Sequence, residues 1–90
     1  MNAAELRDQI AIALNAVSWL AVNGIKPLNQ QAGNFAKPVI LIEHSPKCQL
    51  IRLRFGAEIV GRGTSEQGHW LRWQAEKNGC LIEWFETVAP

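Results

Sequence analysis

The chain predicts an α+β domain: an N-terminal helix packed on a four- to five-stranded, mostly antiparallel sheet that ends in a β-hairpin. Three observations point there. Apolar residues recur at three-and-four spacing over residues 3–23 and at spacing two from Pro38 onward. The stretch between them, 24–37, has no period and is rich in Gly, Pro, Asn and Gln. An Asn78-Gly79 dipeptide separates two alternating runs near the C-terminus, the strongest short-range hairpin signal.

Ninety residues make a single domain, 1–90, with a modest core. Residues 3–23 are rich in Ala and Leu and contain no Pro or Gly, so they read as helix. Leu6, Ile10, Leu14, Val17 and Ala21 mark the expected buried stripe, and Asn23-Gly24 the C-terminal stop. Ile12, Trp19 and Val22 lie away from that stripe. They are the expected contact if the chain forms a homodimer, because a helix apolar on two sides is buried on two sides. Segment 24–37 reads as a long loop, with Ile25, Leu28 and Phe35 to anchor it over the helix.

Val39 to His44 reads as the first strand, Ser45-Pro46-Lys47 as a turn. Cys48 to Phe55 alternates and reads as the second strand, with Leu50, Arg52 and Arg54 on its outer side. Glu58-Ile59-Val60 is a candidate extra strand. Gly61 to Gly68, GRGTSEQG, reads as a flexible loop. The last two strands are 69–76 and 80–88. A two-residue turn at Asn78-Gly79 pairs Ala75 with Ile82 and Trp73 with Trp84, which makes one face nearly all apolar. The alternative bulged turn buries Glu83 opposite Trp73, a costly place for a carboxylate.

The net charge of +1 implies no general attraction to nucleic acid or anionic lipid. The apolar run Ile10–Val22 is too short and too interrupted for a membrane span. Glu5, Arg7 and Asp8 before it oppose a secretion signal. A cytoplasmic protein with two reduced thiols is expected.

Catalytic and metal chemistry find little support. His44, Cys48, His69 and Cys80 are all zinc-ligand types, but His69 and Cys80 begin consecutive strands of one hairpin. They lie roughly 23 Å apart at ~3.3 Å per residue, so they cannot share an ion. A Cys48–His44 nucleophile pair lacks a recognisable third group to orient the base. GRGTSEQG precedes a strand rather than a helix and lacks the phosphate-loop lysine. No catalytic residue, cofactor or metal site is expected.

The remaining candidate is a surface. With Leu71, Trp73 and Ala75 facing the core, Arg52, Arg54, Trp70, Arg72 and Phe85 fall together on the opposite face. Trp and Arg are favoured anchors of protein interfaces. The same types also make single-stranded nucleic-acid platforms. The basic zone is small, and Glu76, Glu83 and Glu86 sit beside it. The expected function is therefore a non-enzymatic protein-binding module, a small inhibitor or accessory protein docking onto a larger protein or assembly. Its style suits a phage or other mobile element. A single-stranded nucleic-acid-binding domain ranks second and a thiol enzyme third.

Overall fold

A computed structural model describes residues 3–31 and 37–88. Helix α1 spans Ala3–Val22, followed by strands β1 (Pro27–Gln31) and β2 (Val39–Ile42), helix α2 (Cys48–Phe55), and strands β3 (Glu58–Ser65), β4 (Gly68–Lys77) and β5 (Cys80–Val88). The strands form one sheet in the order β1-β2-β5-β4-β3. Among the described strands the β2–β5 pair alone is parallel and the rest are antiparallel. The α+β class and the helix-on-sheet architecture are those expected.

The C-terminal hairpin follows its turn chemistry. Asn78 and Gly79 both take positive φ, 48° and 87°, as a tight type I′ turn requires. The register sets Ala75 against Ile82 and Trp73 against Trp84. At the other end of the chain, Ile25 donates its backbone N–H to the Leu20 carbonyl at 2.8 Å, and Gly24 donates to Ala21 at 3.0 Å. Gly24 has φ 72°. These are the two bonds of a Schellman stop. Leu20 and Ile25 then meet in the core, the apolar contact that accompanies the motif.

Four expectations are corrected. Cys48–Phe55 is helix, not strand. Its buried positions are Cys48 and Ile51, with Phe55 packed against the core, while Leu53 stays 74% exposed. Ile51, Leu53 and Phe55 alternate as in a strand, but Cys48, Ile51 and Phe55 keep three-and-four spacing, and Gln, Leu and Arg are good helix formers. The Ser45 and Pro46 carbonyls accept the first amide bonds, from Cys48 and Gln49. Segment 24–37 is not all loop: it supplies β1, an edge strand held by β2. Ile25 is buried as an anchor, Leu28 is 57% exposed, and Phe35 lies outside the described residues. GRGTSEQG is not a free loop, because β3 runs to Ser65 and turns through Glu66-Gln67 into β4.

The buried stripe of α1 is the fourth correction. Ala13, Ala16 and Leu20 are fully buried, whereas Leu6, Ile10 and Leu14 are 41, 50 and 62% exposed. The sheet admits the helix closely only where side chains are small, so alanines face it. Ile12 lies over the Gly79 turn, where an added Cβ would stand 3.6 Å from it. Trp19 packs edge-on against Phe55 at 4.9 Å, bracing α1 to α2. Both are therefore occupied within the chain, and of the expected dimer contact only Val22, 87% exposed, projects outward. Lys77 is buried, donating to Asn15 Oδ1 at 2.9 Å with its ammonium 5.8 Å from the Phe55 ring.

Candidate interaction surface

Both helices lie on one face of the sheet. Ile40, Ile42, Ala75, Ile82 and Trp84 point into that face and join Ala16, Leu20, Cys48 and Ile51 in a single cluster. Strand alternation sends the neighbours of those residues to the opposite face. Val39 and Leu41 of β2, Phe85 of β5, and Trp70 and Arg72 of β4 stand there together. Phe85 is 46% exposed and the others are half-buried.

Trp70 is held by two glycines. Gly61 pairs with Arg72 and Gly63 with Trp70 across the β3–β4 ladder. A Cβ on Gly63 would lie 2.3 Å from the Trp70 ring, and one on Gly61 3.4 Å from Arg72 Cβ. The two bare positions let the indole lie flat along the edge strand. Phe85 meets it edge-on at 5.6 Å, and Arg72 pairs directly opposite Phe85. Beyond Phe85 the face dips into a recess of about 130 Å³ lined by Asn29, Val39, Leu41, Glu83 and Phe85.

Arg52 and Arg54 do not belong to this surface. Both sit on α2, on the other side of the sheet, because their segment is helical. The Arg52 guanidinium lies 4.4 Å from the Trp73 ring centroid. Of the five residues expected together, three are brought together: Trp70, Arg72 and Phe85. Removing two arginines reverses the charge balance. Glu58, Glu76 and Glu83 share the outer face with Arg72. Glu83 accepts from Gln74 at 2.6 Å, and Glu76 pairs with Lys37. Two signals in the sequence were open to another reading. The uninterrupted run Val39-Ile40-Leu41-Ile42 gives β2 two apolar faces. The alternating glycines of Gly61-Arg62-Gly63 suit a strand that must lie beneath a large ring as well as they suit a loop.

The helix-covered side has its own recess of about 150 Å³, bordered by His44, Cys48, Arg52, Trp73 and Glu86. His44 Nε2 lies 3.6 Å from Glu86 Oε2, and Trp73 donates to Glu86 Oε1 at 3.1 Å. Burial pushes the Cys48 thiol up, and Cys80 is pushed up to about 11 by the same desolvation. A nucleophilic cysteine needs the opposite shift. The two termini of the last hairpin are far apart, His69 pairing with Val88 and Cys80 with Lys77. Among the described residues no three His, Cys, Asp or Glu side chains come together. No described helix is long and apolar enough to cross a membrane. No family model, curated protein or solved structure matches the chain.

Proposed function

We propose that this chain is a non-enzymatic protein-binding module, a small inhibitor or accessory protein that docks onto a larger protein through its outer sheet face. The observation that carries this reading is an aromatic surface left open by helices that both pack on the other side. Trp70 lies against Gly61 and Gly63 and meets Phe85 edge-on, so each ring has a packing partner within the chain. Rigid aromatic anchors of this kind contribute area at little entropic cost. A cytoplasmic setting fits two free, buried thiols.

The test is site-specific photocrosslinking in cells, with a benzophenone amino acid in place of Phe85 and, as a control, of exposed Leu53 on α2. One defined protein adduct at position 85, absent at 53 and lost on Trp70→Ala, is expected. Equal adducts at both positions would refute the outer face as the docking surface.

A further inference from the structure

We infer that the partner segment received by this face is acidic and apolar: a carboxylate that pairs with Arg72, beside an apolar side chain that fills the recess between Leu41 and Phe85. This inference rests on the docking reading above and adds the partner's chemistry to it. Arg72 supplies the first half. It projects from the middle of the sheet face, flanked by Trp70 and opposite Phe85. Its Nε is buried and meets no acceptor among the described residues. No described carboxylate forms an ion pair with it, although Glu76 and Glu86 are both engaged elsewhere on the molecule. That Nε is desolvated without a compensating hydrogen bond, and the planar fork of the guanidinium fits a carboxylate.

The recess supplies the second half. Val39, Leu41 and Phe85 make its apolar walls, Asn29 and Glu83 complete the lining, and its volume of about 130 Å³ suits one branched or aromatic side chain. It begins one strand beyond Phe85 and two residues along from it, so its floor at Leu41 lies roughly 12 Å from Arg72. The two recognised groups therefore lie on one side of the partner segment at that separation. A polyanion fits poorly. Glu58 and Glu83 flank Arg72, and successive phosphates would meet them, whereas a single carboxylate need not.

The probe is a random peptide library displayed on phage, selected against the wild-type protein. Enriched peptides should share an Asp or Glu at constant spacing from Leu, Ile, Phe or Trp. Binding should fall roughly 10- to 100-fold in Arg72→Gln, the loss expected for a charge-assisted hydrogen-bonded pair. Arg72→Lys, which keeps the charge and loses the fork, should fall between. Phe85→Ser should also weaken binding. Thermal melts of the three variants establish that each is folded, and Arg72→Lys carries the test if Arg72→Gln is not. Peptides without an acidic residue, or bound equally by the Arg72 variants, would overturn the inference while leaving the docking face intact if Phe85→Ser still weakens them. Peptides indifferent to both Arg72 and Phe85 would overturn both. Failure to enrich any peptide, or a short oligonucleotide that binds more tightly and is lost in Arg72→Gln, would also overturn the inference.

Discussion

Gly63 and Cys80 show how much a single position carries. Gly63 is an unremarkable residue until Trp70 lies on it, and a methyl there would displace the indole from its bed. Gly63→Ala should cost ~1–3 kcal/mol, the range for overpacking, and should loosen Trp70 from Phe85. Urea melts and the edge-on ring-current shifts of Phe85 in NMR spectra report the two effects separately. Cys80 is fully buried and its thiol is pushed up to about 11. The unfolded thiol ionises near pH 8.5–9, so between there and pH 11 the native state holds a proton that the unfolded state has lost. Stability from this group is complete below pH 8.5 and is lost as pH rises to 11, by up to ~2–3 kcal/mol. Cys80→Ala should flatten that alkaline slope in melts recorded from pH 8 to 11. An unchanged slope would mean that the thiol ionises alike in both states.

At the level of elements, α1 and α2 teach opposite lessons. Helix α1 was legible as a helix, down to its Asn23-Gly24 stop, but its buried face was not. An apolar stripe of large residues and a stripe of alanines compete for the sheet, and close helix–sheet approach favours the alanines. Leu20→Ala should therefore cost ~2–5 kcal/mol, while Leu14→Ala should stay within ~0.5 kcal/mol. Paired denaturation curves check the ordering; equal losses would restore the larger stripe to the core. Helix α2 was illegible as a helix because Ile51, Leu53 and Phe55 alternate as a strand would, while Cys48, Ile51 and Phe55 keep helical spacing. Its consequence reaches furthest, since it takes Arg52 and Arg54 away from Trp70.

For the whole molecule, the relocation of those arginines separates the two leading functions. The outer face carries Arg72, and Lys37 paired with Glu76, against Glu58, Glu76 and Glu83, and the remaining arginines are scattered over α1, α2 and the β3 strand. Few phosphates could be neutralised at once. Single-stranded DNA or RNA should bind no more tightly than ~10 μM at physiological salt, with a shallow salt slope near ~0.7 per contacted phosphate. Fluorescence anisotropy with labelled oligonucleotides decides this. Sub-micromolar binding that collapses with added salt would favour a nucleic-acid-binding domain instead.

By itself the sequence determined the fold class, the helix stop, the β4–β5 hairpin with its register, and the presence of Trp70, Arg72 and Phe85 on one face. Each of these depends on neighbours close in the chain: a glycine in a positive-φ turn, or alternation along two strands joined by two residues. The tertiary structure alone decided which stripe of α1 is buried, that Cys48–Phe55 coils, that β1 completes the sheet edge, and that β3 lies beneath Trp70. Those outcomes depend on what a segment packs against. A short segment whose apolar residues satisfy both periods has no preference of its own, and the surface that it must cover makes the choice.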